Sequence, residues 1–388
     1  MDTRKIDKCK VCGNDFFKEP LLKYKNMPSA AQYLPDVESL EKDRGVNLEV
    51  CQCSGCGLVQ LNNDHVPYYR EVIRASAFSG EMKDFRTKQF EDFAKKYSLK
   101  GKKIIEIGCG SGEYLSVMQK CGVETYGLEQ KAESVQQCIM NGLKVSKGFV
   151  ENRDYKINEA PFDAFFTLSF LEHLPNPNET LQGIRNNLTD GGVGIVEVPN
   201  FDMVLRKNLF SEFIRDHLFY FTEDTLNATL RQNGFEILEC NEIWHDYLLS
   251  AIVRKRGELN IAPFYEHQKK LKAEIERYVG RFKDKGVAIW GAGHQALTII
   301  SLTEMADKIR YVVDSATFKQ GKYTPATHIP IVSPEMLDYD PVEAIIVISG
   351  SYSNEVSKII RRKYKSRLED KVSGVNVAIL KDFGLEEV

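Results

Sequence analysis

The sequence lacks a surplus of charge of either sign, any long apolar run and any low-complexity tract. Its 52 basic side chains face 55 acidic ones, for a net charge of −3. With no basic surplus to neutralise a phosphate backbone, a dedicated nucleic-acid binder is not expected. The apolar stretches, such as that around Phe165 to Leu171, are of strand length, far short of the roughly 20 residues that cross a bilayer. The first residues, MDTRKIDKCK, carry charge from the second position and no apolar run of a secretory signal. The expectation is a cytoplasmic protein without membrane or nucleic-acid partners. What is present is 388 residues, 43% hydrophobic, enough for two or three domains with real cores.

Nine cysteines make an odd count, and reduced thiols are the rule in the cytosol, so a disulfide framework is the weaker explanation. Cys9, Cys12, Cys51, Cys53 and Cys56 crowd the first 56 residues, whereas Cys109, Cys121, Cys138 and Cys240 are scattered. CKVCG and CSGCG are two Cys-x-x-Cys-Gly knuckles, each with a glycine that permits the tight turn aiming two thiolates at one point. Cys9, Cys12, Cys53 and Cys56 together supply the four thiolates of a closed, structural Zn2+ site. Cys51 could exchange with Cys53, and a redox pair or incidental cysteines are the alternatives.

From about Val66 onward strands alternate with helices: KKIIEIG, CGSGEYLSVMQKCG, VETYGLE, AESVQQCIMNG, FDAFFTLSF, ETLQGIRNNL and GGVGIVEVPN. This alternation predicts an α/β fold with a doubly wound parallel sheet. Glu106-Ile107-Gly108-Cys109-Gly110-Ser111-Gly112 follows a buried strand and opens a helix. Its alternating glycines let backbone approach a nucleoside at the switch point of the sheet. The stretch resembles motif I of class I S-adenosylmethionine-dependent methyltransferases. An acid closing the second strand, Glu129, is then expected to accept the ribose hydroxyls, and SFLEHLPNP also resembles this class. Ser169 and Phe170 are expected beside the methionyl or adenosyl part. His173 is expected to be structural or to line the cofactor. In EFIRDHLFYFTEDTL, His217 is the candidate base, with Asp216 as the carboxylate that could hold its tautomer; capping or packing is its other role.

After Arg256 a long charged helix, FYEHQKKLKAEIERYVGRF, reads as a connector to a second Rossmann-like half. That half opens with Gly291-Ala292-Gly293-His294-Gln295-Ala296 after the strand VAIW, and Asp314 closes its next strand. Alone, this is close to a dinucleotide fingerprint and would suit an NAD-dependent oxidoreductase. It would equally suit a domain that binds a nucleotide-sugar diphosphate at the helix start, through Gly291, Gly293 and His294.

Over nearly its whole length the chain resembles the three-domain C-methyltransferases of deoxysugar biosynthesis, which act on nucleotide-linked keto-sugars. The resemblance rests on CKVCG with CSGCGLVQL, EIGCGSGEYL, EHLPNP and the tail VVDSATFKQGKYTPATHIPIVSPEML (Val312 to Leu337). It implies a zinc-binding domain over 1–75, a methyltransferase core over 76–256 and a Rossmann-like substrate-binding domain over 257–388. It implies S-adenosylmethionine as donor, a nucleotide-sugar acceptor held largely by the C-terminal half, and a histidine that abstracts the proton beside the ketone. Asp216 and His217 fall on the family's acid–His pair. The chain departs from the family at Ile214-Arg215-Asp216-His217, where the family has Tyr-x-Glu-His. It departs again at VISGSYSNEV (Val347 to Val356), in place of a Pro-Trp-Asn element. Both departures lie on the acceptor side, so O- or N-methylation of a related sugar stays open. Ser76 and Ser79 lie where the family's loop closes over the site, and could touch substrate or cap the following helix. The oligomeric state is not legible.

Overall fold

The computed structural model describes residues 6–32, 34–71, 79–364, 375–382 and 384–388. The chain divides into two compact units, Met1–Gly257 and Glu258–Val388. Residues 1–75 are therefore part of the first unit, where three domains were expected. The reason is a shared sheet. Strands β1 (Leu22–Met27), β2 (Val46–Gln52) and β3 (Val59–Leu61) pair antiparallel, and a fourth strand, Phe219–Tyr220, joins β3 from far along the chain.

The methyltransferase-like part of this unit begins with α1 (Gly80–Lys96) and continues β4 (Lys103–Ile107), α2 (Glu113–Gln119), β5 (Glu124–Glu129), α3 (Ala132–Met140), β6 (Val145–Lys147) and β7 (Phe162–Leu168). It closes with α4 (Pro177–Asn186), β8 (Leu188–Pro199), α5 (Phe201–Lys207), β9 (Phe219–Tyr220), α6 (Glu223–Gln232), β10 (Phe235–Ile243) and β11 (Leu248–Lys255). Seven of the strands form one sheet in the order β10-β11-β8-β7-β4-β5-β6. Six run in one direction, five of them paired parallel as expected, but β11 lies antiparallel between β8 and β10. A direct hairpin from β10 to β11 cannot make a parallel pair, which requires a crossover. Consecutive residues of the central strands face opposite ways. Ile104 and Phe166 pack with α1 and α2, whereas Ile105 and Phe165 pack on the face of α4 and α6. Cys9, Val11, Cys53 and Leu58 belong to that second cluster, so the cysteine knuckles rest on the core.

Helix α1 buries Met82, Arg86, Phe90, Phe93 and Ala94, a single stripe at helical spacing, and Ser79 caps it by accepting the Met82 amide at 3.1 Å. Ser79 thus takes the capping alternative, and Ser76 lies outside the described residues. Within the stripe, Arg86 is 2% exposed and its guanidinium lies 2.6 Å from the carboxylate of Glu197 on β8, itself fully buried. Gln89 and the Ser250 hydroxyl donate to the other oxygen of Glu197 at 2.5 and 3.1 Å. The pair ties α1 to β8 where the Ser169 amide, at the end of β7, donates to the Glu197 carbonyl at 2.9 Å.

The second unit contains α7 (Ala262–Val279), β12 (Val287–Trp290), α8 (His294–Leu302), β13 (Ile309–Val313), β14 (Ile331–Val332), α9 (Met336–Tyr339), β15 (Ala344–Val347), α10 (Ser353–Tyr364), β16 (Asn376–Lys381) and β17 (Gly384–Glu387). Its six strands are ordered β14-β13-β12-β15-β16-β17, parallel except for β17. Helix α7, read from its charge as a connector, is instead built into this unit, with Leu271, Ile275, Tyr278 and Val279 in its core. Its charges lie on the opposite face.

Replacing Arg86 by Ala should cost about 3–5 kcal/mol, because it leaves the Glu197 charge buried without its partner. Denaturant unfolding of the two proteins measures it; a loss below about 1 kcal/mol would contradict the role given to the pair.

Candidate active site

The residues expected to hold the donor converge at the C-terminal ends of β4, β5 and β7. Gly108, Gly110 and Gly112 have φ of +74°, +55° and +82°, a region that other residues enter only with strain. A side chain at Gly112 would meet Leu143 at 2.4 Å, and one at Gly108 would press on the ring of Phe170 at 3.2 Å. Glu106 is fully buried in β4 directly before this loop. Glu129, at the end of β5, accepts the Gly110 amide at 2.9 Å and the Lys131 amide at 2.8 Å. It therefore shapes the glycine loop before any ligand arrives, and a carboxylate oxygen has a second lone pair for a ribose hydroxyl. Ser169, in the left-handed region at φ +50°, turns the chain out of β7 so that Phe170 lies over the loop.

A second cluster lies beside it and is built from two segments. The turn Leu171–His173 and the stretch before β9 are stapled by two hydrogen bonds. Leu218 N–H donates to the Glu172 carbonyl at 2.8 Å, and the His173 Nδ1 lies 2.7 Å from the Asp216 carbonyl. A carbonyl only accepts, so Nδ1 carries the proton and Nε2 presents its lone pair. The rings of His173 and His217 meet edge to face, with centroids 4.8 Å apart. Burial, reinforced by His173, pushes the His217 pKa down to about 3, and burial also lowers that of His173. Both are neutral imidazoles at physiological pH. His217 borders a cleft also lined by Asn200, Glu212, Tyr220 and Tyr247.

Asp216 does not act as expected. Its carboxylate accepts the Tyr68 hydroxyl at 2.8 Å and the Ala31 amide at 3.0 Å, and these bonds, rather than one to His217, consume it. Its reach is to the N-terminal segment. Tyr68, whose hydroxyl reaches Asp216, is a residue the sequence reading missed; the only signal was an aromatic pair in a polar stretch, Tyr68-Tyr69. Burial, with the Asp216 carboxylate beside it, holds the Tyr68 phenol well above its ordinary pKa. Glu172, 1% exposed, was also missed as a site residue although LEH was read as a motif.

The four cysteines of the knuckles come together. Cys12 and Cys53 Sγ atoms are 3.3 Å apart, Cys9 and Cys56 3.7 Å, and all four lie within 4.8 Å of one another. Sulfurs at the corners of a zinc tetrahedron are about 3.8 Å apart, from Zn–S bonds of about 2.3 Å. Gly55 and Cys56 amides point at Cys53 Sγ at 3.3 and 3.4 Å, the donor pattern that stabilises a thiolate. Cys51 is not in the cluster, since its thiol points to the Glu49 carbonyl. The Val11 carbonyl between the first two cysteines accepts both Asn178 on α4 and Gln232 on α6, each at 2.7 Å.

In the second unit, Gly291 has φ of +114° and a side chain there would strike the Ile348 carbonyl at 2.3 Å. Gly293 is the N-cap of α8, and His294, its first residue, is exposed. Asp314 accepts the Ala292 and Ala316 amides at 2.8 Å each, and Lys319 Nζ lies 2.9 Å away. Despite burial, Lys319 and these amides hold its carboxyl below the usual range.

Comparison with known proteins agrees with this geometry. Residues 78–240 match the methyltransferase domain family, and residues 258–367 match the C-methyltransferase C-terminal domain family. The chain is an S-adenosylmethionine-dependent methyltransferase. It is 22% identical to the C-methyltransferase NovU of Streptomyces niveus, over 91% of this chain and 92% of that protein. The ubiquinone biosynthesis O-methyltransferase of Haemophilus ducreyi is 29% identical over 26% of this chain and 46% of its own length. Among solved structures, an S-adenosylmethionine-dependent methyltransferase of Clostridium acetobutylicum overlaps 49% of this chain and 96% of its own, at 15% identity and a TM-score of 0.38. No helix of the described residues is long and apolar enough to cross a membrane. The C-terminal match assigns the Gly291 loop to methyltransferase architecture, and the oxidoreductase reading loses its support.

Glu129→Ala should weaken S-adenosylmethionine binding by about ten- to a hundredfold, since both a ribose acceptor and the loop's anchor are lost. Calorimetric titration checks it; unchanged affinity would contradict the placement of the donor.

Proposed function

We propose that this methyltransferase transfers the methyl group of S-adenosylmethionine to a carbon of a nucleotide-linked keto-deoxysugar. The observation that carries the proposal is His217. It is a neutral imidazole on a cleft, packed against His173 of the turn that follows Phe170, and the neighbouring carboxylate is committed elsewhere. The sulfonium donor needs little activation, so the enzyme's work is alignment of the acceptor and removal of its proton. His217 takes the proton from the carbon beside the ketone, and the electron pair of that C–H bond passes into the enolate. The enolate carbon then attacks the methyl group, and S-adenosylhomocysteine leaves. In its resting environment His217 is a weak base. Negative charge developing on the enolate beside it favours its protonated form, so basicity rises as the acceptor ionises. Asp216 holds the loop in place through Tyr68 and Ala31, and Glu106, Gly108, Gly110, Gly112, Glu129, Ser169 and Phe170 hold the donor. Gly291, Gly293 and His294 are assigned to the nucleotide. The curated relative named as a C-methyltransferase, matched along nearly its whole length, supports carbon as the methylated atom.

Replacing His217 by Asn should lower turnover at least a hundredfold with donor affinity unchanged. With a keto-sugar nucleotide in deuterated water and no donor, the wild type should exchange the proton beside the ketone and the variant should not. Productive methylation without exchange would overturn carbon transfer in favour of O- or N-transfer.

We further infer that Cys9, Cys12, Cys53 and Cys56 hold one structural Zn2+. Four thiolates close the coordination sphere, so the ion supplies cohesion rather than chemistry. Elemental analysis should find one zinc per chain, and Cys56→Ser should lose it together with several kcal/mol of stability. A zinc-free wild type of equal stability would refute the assignment.

A further inference from the structure

The donor and acceptor roles leave Glu172 unexplained. Its side chain is 1% exposed, and neither carboxylate oxygen accepts a hydrogen bond from another described residue. A buried carboxylate in that state requires either a proton or a cation. What faces it is unusual. His173 Nε2 lies 3.8 Å from a Glu172 oxygen, and His217 stands edge to face with His173. One ligand atom from each of the three residues falls within 4.8 Å of the others.

We propose that Glu172, His173 and His217 form a binding site for a borderline divalent cation of the Zn2+ or Co2+ kind, separate from the cysteine site. Two imidazoles and one carboxylate are the donor set of open, three-ligand metal centres. His173 has the support that metal-bound histidines require: its Nδ1–H donates to the Asp216 carbonyl at 2.7 Å, which fixes the tautomer and leaves Nε2 as the ligand atom. The Leu218 amide, bonded at 2.8 Å to the Glu172 carbonyl, holds the third ligand's segment against the first. Ligand atoms around such an ion stand about 3–4 Å apart, from bonds of about 2.0–2.2 Å. A contraction of roughly 1–2 Å at the widest pair therefore forms the site. An ion there occupies the lone pair that His217 needs as a base, so the occupied enzyme cannot remove the acceptor's proton. Bound cation and proton abstraction exclude one another. Only this consequence rests on the function proposed above; the binding itself does not.

The test is an optical titration of the zinc-loaded full chain with Co2+. One equivalent should bind and give visible d–d absorption without the thiolate charge-transfer band that exchange into the cysteine site produces. Glu172→Gln keeps the shape and removes the charge; it should weaken Co2+ binding at least tenfold, and His217→Asn should do the same. Circular dichroism and S-adenosylmethionine affinity verify that both variants are folded. Absence of d–d absorption, or equal Co2+ affinity in folded Glu172→Gln, overturns the site. Binding of Co2+ with proton exchange into a keto-sugar nucleotide undiminished would overturn the exclusion while the function above stands.

Discussion

The structure of the first unit depends on one short stretch, residues 214–221, which bonds in three directions at once. Strand β9 adds itself to β3, and the Leu61 amide donates to the Leu218 carbonyl at 2.9 Å. The backbone of Asp216 and Leu218 grips the turn that carries Glu172 and His173. The Asp216 carboxylate reaches Tyr68 and Ala31. Ile214 is itself locked, since the Tyr220 hydroxyl bonds its amide at 3.0 Å and its carbonyl at 3.2 Å. The N-terminal strands thus share their last strand with the loop that presents His217, and any displacement of them is felt at the candidate base. The cysteine knuckles hold the other side of the same segment to α4 and α6. This accounts physically for a domain that looks separable by its motifs yet packs as one body with the core.

How much of this was legible in the sequence follows from how local each feature is. The donor loop is seven consecutive residues between a strand and a helix, and its glycines are required by backbone angles that those residues alone determine. Glu129 is legible for the same reason: it closes the strand adjacent to the loop, a fixed distance along a regular repeat. The two knuckles are local as well, and pairing them needed only the arithmetic of four ligands. The acceptor side is different. Tyr68 and Asp216 are 148 residues apart in sequence, and no periodicity links them. From sequence, Asp216 beside His217 suggested a catalytic pair; the two lie in a turn in which the His217 amide donates to the Ile214 carbonyl at 3.1 Å, and the Asp216 carboxylate is directed to Tyr68 and Ala31 instead.

Helix α7 errs in the instructive direction too. Its charge reads as that of a connector, but a stripe of Leu271, Ile275, Tyr278 and Val279 recurs at helical spacing within it. Composition hides such a stripe when the opposite face is rich in lysine and glutamate. Likewise, β11 is buried along most of its length, as a central parallel strand would be, and only the short turn after β10 dictates that it must run antiparallel.

The two Rossmann-like halves use the same device at their second strand, and the difference between them is informative. In each, an acid at the strand end accepts an amide of the preceding glycine loop: Gly110 to Glu129, and Ala292 to Asp314. The acid then accepts a second amide two residues further on, from Lys131 or Ala316. These bonds order the loops and are indifferent to the ligand. What differs is charge. Lys319 sits against Asp314, whereas Glu129 accepts backbone amides and has no ion-pair partner among the described residues. One architecture thus recurs in the two units, with the same bond from acid to glycine loop, and differs by a single ammonium group beside the acid.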